Sequence, residues 1–276
     1  MKNQTMKAMK NNQLKGILVA LIAILCMDAE AQTTEMDSLM QAVSVQADSL
    51  LMAQQQPWTM TGVVRGYAAC CDKVAPDRLT AERMKAALVI DMMKGSMEPM
   101  DSAVDIVLPQ IATDSLRTKI RDAQVTQVKT FGHLFPGQPA PDLGFTDRDG
   151  KHHTLSEMKG KVLFVDIWGT WCVPCIEEFP HLRELNEHFK DRGDVVIMSI
   201  ACDKQADRWQ RFLMRRGKEM PWQQYLIDAE SNDRLDKVYF VVGIPRFFII
   251  DRQGCIVLPD APRPSEGTVA AMLEKL

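Results

Sequence analysis

The chain has 276 residues, of which 46% are hydrophobic and 25% charged, with seven cysteines and a formal net charge of −3 at pH 7. That length admits one large domain or two modest ones. The charge balance argues against a nucleic-acid-binding surface, and seven cysteines are too few for a disulfide scaffold of this size.

The first residues carry a targeting pattern. Lys2, Lys7, Lys10 and Lys15 form a basic segment, Gly16 to Cys26 is an uncharged apolar run, and Ala29-Glu30-Ala31 supplies a small-x-small site. This order predicts a secretory signal peptide over 1–31, leaving 276 − 31 = 245 residues, exported and periplasmic. The run is too short for a membrane span, which needs about 20 apolar residues. A lipoprotein signal using Cys26 is the alternative, against which the bulky Leu25 stands.

Residues 32–132 read as a mostly helical region. Met36, Leu39, Met40, Val43, Ala47, Leu50 and Leu51 give an amphipathic helix over 32–56, ended by Pro57. Trp58 to Tyr67 has the composition of a strand, with ragged alternation. A turn at Ala75-Pro76-Asp77 precedes a helix over 80–94 with Thr80 as its N-cap. A short helix over 102–108 follows, and Asp114 caps another that closes near Gly132.

At Phe135-Pro136-Gly137-Gln138-Pro139-Ala140-Pro141-Asp142 the composition changes, marking a boundary and a second domain over 133–276. Short elements then alternate in α/β fashion. Strands are expected over 151–155, 161–168 and 194–201, and helices over 172–191 and 205–216. Two further strands, 246–251 and 255–258, are joined by Arg252-Gln253-Gly254, and Ser265 caps a last helix to Leu276. The alternation predicts a mixed central sheet flanked by helices.

Within this domain, Trp168-Gly169-Thr170-Trp171-Cys172-Val173-Pro174-Cys175 places two cysteines three apart between a buried strand and a helix. A strand that delivers a Cys-x-x-Cys pair onto the first turn of a helix is a thiol–disulfide device. The first cysteine meets unpaired backbone N–H groups that favour a thiolate. The second lies one turn further in, where it is shielded and close enough to attack a mixed disulfide. Zinc also uses this spacing but needs four ligands, and no second Cys-x-x-Cys or His pair lies nearby; no metal and no cofactor is expected.

Residues 136–276 resemble the TlpA/ResA type of thioredoxin-fold thiol–disulfide oxidoreductases. The resemblance rests on the segment from Pro136 to Asp142, on Trp168 to Cys175, on Glu178 and Pro180, and on Gly243-Ile244-Pro245 before the strand from Phe247 to Asp251. It implies a thioredoxin fold preceded by a helical region, a redox-active Cys172/Cys175 disulfide, Cys172 as nucleophile and Cys175 as resolving thiol. Pro174 stiffens the turn between them, and Trp171 covers the pair or belongs to the core. Pro245 matches the family's cis-proline, so Ile244, Pro245 and Arg246 form a substrate-docking edge. Arg246 either favours a thiolate or an acidic substrate, or points to solvent.

Asp166 lies six residues before Cys172 in an apolar strand. A buried carboxylate must shift its pKa or find a partner. By resemblance to thioredoxins it is the general base for Cys175, a departure from TlpA/ResA-type domains, which carry an uncharged residue there. The other reading is a hydrogen-bonded structural aspartate. Glu178 is a second acid candidate, or only a favourable first-turn charge. Cys202 and Cys255 read as small core residues or as further disulfide partners. Cys70 and Cys71, with Met92, Met93, Met97 and Met100, would suit Cu(I) by softness, although Met-rich helices more often serve as adaptable core.

The resemblance implies reduction of protein disulfides, with a membrane electron donor and apocytochromes among the candidate clients. A disulfide-forming oxidase and a thiol peroxidase are the alternatives on the same fold. Region 32–132 is expected to select clients or to form a homodimer contact.

Overall fold

The computed structural model describes residues 30–53 and 60–276. The basic and apolar start of the expected signal peptide, with Leu25 and Cys26, lies outside the described residues, as do Pro57, Trp58 and Thr59. The chain divides into two compact units, Met1–Gly132 and His133–Leu276.

The first unit contains the helices α1 (Glu30–Ala53), α2 (Met60–Val74), α3 (Arg78–Gly95), α4 (Asp101–Val107) and α5 (Asp114–Phe131). Helix α2 corrects the strand expected up to Tyr67. Val63, Val64, Tyr67, Ala68, Cys70 and Cys71 are all buried, a three-to-four-residue repeat that the β-branched composition obscures. Helix α3 begins two residues before the expected Thr80. Asp77 is its N-cap, with carboxylate oxygens accepting from Thr80 N at 2.9 Å and Thr80 Oγ1 at 2.7 Å. Thr113, not Asp114, caps α5, and its N–H donates to the buried Glu82 carboxylate at 2.9 Å.

One core of this unit gathers Met40, Val43, Tyr67, Cys70, Cys71, Met84 and Leu88. Burial pushes the Cys71 thiol up to about 12 and raises Cys70 as well, so both are neutral thiols at pH 7. Of the methionines grouped with them by softness, Met92 packs against this core, whereas Met93 and Met100 belong to a second one with Val64, Val104 and Ile120.

The second unit has the thioredoxin fold, a mixed sheet flanked by helices. Its strands are β1 (Gly144–Thr146), β2 (His152–Thr154), β3 (Val162–Trp168), β4 (Val195–Ala201), β5 (Gln223–Ile227), β6 (Arg246–Ile250) and β7 (Ile256–Leu258). Their order is β2-β1-β5-β4-β3-β6-β7, with β3, β4 and β5 parallel and β6 antiparallel to β3. Every residue of β3 is buried, as a central strand covered on both faces requires. Strand β1 has no apolar run to announce it, and β5 opens on Gln223 and Gln224 before the short run Tyr225-Leu226-Ile227.

Helices α6 (Val173–Glu177) and α7 (Phe179–Phe189) replace the single helix expected over 172–191. Pro180 lacks an N–H and its ring crowds the carbonyl of Ile176, so the helix breaks at Glu178. Helix α8 (Ala206–Arg216) buries Trp209, Phe212 and Leu213, and α9 (Ala229–Asp233) and α10 (Leu235–Val238) follow β5. The last expected helix is also divided. Pro264–Glu266 forms a 3-10 turn closed by Gly267 at φ 71°, and only Val269–Leu273 is α-helical, as α11. In the β6–β7 turn, Asp251 Oδ1 accepts from the N–H groups of Gln253 and Cys255 at 2.9 and 2.8 Å, with Gly254 at φ +80°.

Candidate redox site

The end of β3 and the start of α6 bring the two cysteines together. Cys172 and Cys175 form a disulfide with their Cα atoms 5.3 Å apart. Cys172 is the N-cap of α6, and its Sγ accepts the Cys175 N–H at 3.2 Å. Val173 and Pro174 occupy the first two helical positions, where proline's missing N–H costs no hydrogen bond. The expected contrast between an exposed first cysteine and a shielded second one is small in this disulfide: Cys172 is 4% exposed and Cys175 1%. Beneath them lies an aromatic layer in which Trp168 meets Phe179 and Phe212 edge-on, each at 5.2 Å between ring centroids.

The loop before Cys172 is anchored from the segment just after β4. Thr170 donates from its N–H and its hydroxyl to the buried Asp203 carboxylate, at 2.9 and 2.6 Å. Trp171 is not core, being 55% exposed. A methyl group on Gly169 would stand 2.9 Å from Trp171 Nε1 and 3.4 Å from Ile244 Cδ1, so glycine lets the indole lie close over this backbone. Trp171 and Ile244 line a groove of about 500 Å³ together with Cys202, Lys204, Asn232 and Val242.

The Ile244–Pro245 peptide bond is cis and leads into β6, where Arg246 pairs with Ile167 and Phe247 with Asp166. Arg246 does not point to solvent. Its guanidinium meets Asp260 at 2.7 Å and donates to the Phe240 carbonyl at 3.1 Å, so its charge is already matched.

Asp166 is 1% exposed in the middle of β3. Its Oδ2 accepts from Ser199 Oγ at 2.7 Å, while its Oδ1 is buried with no hydrogen-bond partner. Desolvation raises its pKa from the ordinary 3.8 to about 7; the Ser199 hydrogen bond opposes the rise and the negative charge of Glu178 adds to it. Glu178 is held by Ser265, which donates from its N–H at 3.0 Å and its hydroxyl at 2.7 Å. Arg263 lies 4.0 Å from the same carboxylate. Glu178 thus ties the 3-10 turn at Pro264–Glu266 to the break between α6 and α7, beyond any first-turn charge effect.

Several residues carry no sequence signal for their part in this site. Ser199, Trp222, Asp203 and Ser265 come from other elements and reach Asp166, the cysteine loop and Glu178 only after the sheet assembles. Cys202 and Cys255 are half-buried free thiols. Burial and the charge of Asp203 raise the Cys202 pKa to about 11. Among the described residues, no three His, Cys, Asp or Glu side chains are grouped so as to hold a metal.

The chain is similar to known proteins over this same unit. The Redoxin family model matches residues 135–273. The chain is 31% identical over 121 residues to the thiol-disulfide oxidoreductase ResA of Bacillus thuringiensis subsp. konkukian (strain 97-27), covering 44% of this chain and 66% of that protein. It is 35% identical over 118 residues to ResA of Geobacillus kaustophilus (strain HTA426), covering 43% and 64% respectively. The match therefore spans less than two thirds of the length of these relatives. A crystal structure of a putative thiol-disulfide oxidoreductase from Bacteroides vulgatus, 34% identical, aligns with 52% of this chain and 97% of its own at a TM-score of 0.48. A family match running from the start of the sheet domain through α11, with the cysteine pair inside it, places the chain in the Redoxin family.

Proposed function

We propose that the protein is an exported thiol–disulfide oxidoreductase that reduces protein disulfides through Cys172 and Cys175. The observation that carries this reading is the Cys172–Cys175 disulfide at the start of α6, in the unit that also holds the groove lined by Trp171 and Ile244. In the reduced protein, the Cys172 thiolate attacks one sulfur of a client disulfide and expels the other as a thiolate, giving a mixed disulfide. Cys175 then loses its proton to Asp166 and attacks Cys172 Sγ. The second client sulfur leaves as a thiolate, the client gains two electrons, and the enzyme ends as the Cys172–Cys175 disulfide. The resolving base must be unprotonated part of the time near pH 7, which a carboxylate with a pKa near 7 meets.

Trp171 and the segment Ile244-Pro245-Arg246 provide the docking edge for the client backbone, and Pro174 fixes the turn between the cysteines. A reduced dithiol protein at the membrane returns the enzyme to its active form, and apocytochromes with oxidised cysteine pairs fit the client class. The helical unit selects clients or joins two copies, which the basic and apolar N-terminal leader would deliver to the periplasm.

Turnover of a protein disulfide supplied with excess small dithiol tests the assignment. Catalysed reduction of an oxidised cysteine pair in a protein, with no catalysed consumption of hydrogen peroxide, is expected. Peroxide turnover without disulfide reduction would move the activity to a thiol peroxidase.

A further inference from the structure

The sheet holds a directed hydrogen-bond chain that ends on Asp166. Asp166, Ser199 and Gln224 are paired residues on the adjacent parallel strands β3, β4 and β5, so their side chains share one buried row. Trp222, just before β5, donates from Nε1 to Ser199 Oγ at 2.7 Å, and Ser199 Oγ lies 2.7 Å from Asp166 Oδ2. An indole N–H can only donate, and a serine hydroxyl has one hydrogen. Trp222 therefore fixes Ser199 as acceptor on one side and donor on the other. Ser199 is fully buried and Trp222 is 4% exposed, so no solvent competes for either bond.

We propose that Ser199, oriented by Trp222, is a positioning residue that fixes the protonation of Asp166: it locks Oδ2 as an acceptor, so that the exchanging proton resides on Oδ1. The inference rests on the reading of Asp166 as the base for Cys175. Oδ1 is the carboxylate oxygen without a partner among the described residues, free to take a proton. A hydrogen bond donated to the charged form favours ionisation, and the Ser199 bond opposes the desolvation of Asp166 in that direction. Among the described residues, the ionisable groups that act on this carboxylate are Glu178, from the break between α6 and α7, and Cys202, after β4. Phe247 faces it from β6 and adds no charge. Glu178 is held by Ser265 and the Cys202 thiol is neutral at pH 7; among the described residues, Ser199 is the one hydroxyl that holds Asp166.

The test is an infrared titration of the Asp166 carboxyl stretch in the full-length oxidised protein, beside the pH profile of the resolving step. Asp166→Asn identifies the band. In Ser199→Ala the midpoint should rise by roughly one to two pH units, the effect of losing one hydrogen bond to a charged group. Trp222→Phe should raise it by less, because the hydroxyl is then free to turn away. Ser199→Thr, which keeps the donor, should restore the midpoint, a recovery that loss of packing alone would not produce. If Asp166 titrates at the same pH in Ser199→Ala and Trp222→Phe as in the wild type, the inference is wrong. If the midpoints shift but Asp166→Asn leaves the pH profile of resolution unchanged, the positioning holds and the base assignment fails.

Discussion

A Cys175→Ser variant is expected to accumulate as a covalent mixed disulfide between Cys172 and a client protein. Cys172→Ser should form no such adduct and lose roughly a thousandfold or more of the disulfide-reducing rate, as removal of a nucleophile does. The asymmetry follows from position. Cys172 caps α6, with its sulfur accepting the Cys175 N–H, so a negative charge there meets the open end of the helix. Cys175 lies one turn inside the helix, past the open N-terminal end, where its sulfur is placed to attack that of Cys172. Non-reducing gels with mass spectrometry of the trapped species read the result. Adducts on Cys175 in a Cys172→Ser protein would reverse the two roles.

The second large effect concerns stability. Asp166 has its pKa raised from 3.8 to about 7 in the folded chain. A carboxyl raised on folding contributes stability that is full below its unfolded pKa and is lost as pH climbs through the folded one. The wild type should therefore lose stability between about pH 4 and pH 7, relative to Asp166→Asn, by a few kcal/mol and at most on the order of 4 kcal/mol. Above pH 7 the asparagine variant is the more stable protein, because it buries no charge. It should also resolve mixed disulfides more slowly, since no carboxylate remains to receive the Cys175 proton. Urea unfolding of both oxidised proteins at pH 4.5, 6 and 8 checks the sign. A difference that does not grow with pH would show that the carboxyl is not raised by burial.

The chemistry of this site was legible where it depends on neighbours in the chain. The Cys-x-x-Cys spacing after an apolar strand marks the disulfide, and an aspartate within that strand marks an expensive buried acid, because both signals are local. What holds the aspartate was not legible. Its partner Ser199 sits 33 residues away, and Trp222 a further 23, brought alongside only by the parallel register of β3, β4 and β5. The cis bond at Pro245 was visible through family resemblance alone, since an X-Pro bond carries no local mark of its isomer.

In the helical unit, β-branched residues suggested a strand where tertiary burial of Val63, Val64 and Tyr67 made a helix. Helix ends fared similarly. Thr80 has the right chemistry for a cap, yet Asp77 takes the place because its carboxylate reaches the N–H and hydroxyl of Thr80 together. Proline at 180 and glycine at 267 were present in the sequence as breakers, and each interrupts a helix that periodicity alone would have run through.

The most direct measurement is the reduction potential of the Cys172/Cys175 pair, equilibrated with glutathione and read from the fraction of disulfide. A value on the order of −270 mV, the range of thioredoxin, is expected for a protein that donates electrons to client disulfides. A value near about −120 mV, the range of strong dithiol oxidants, would contradict the reducing assignment and make the protein a donor of disulfides.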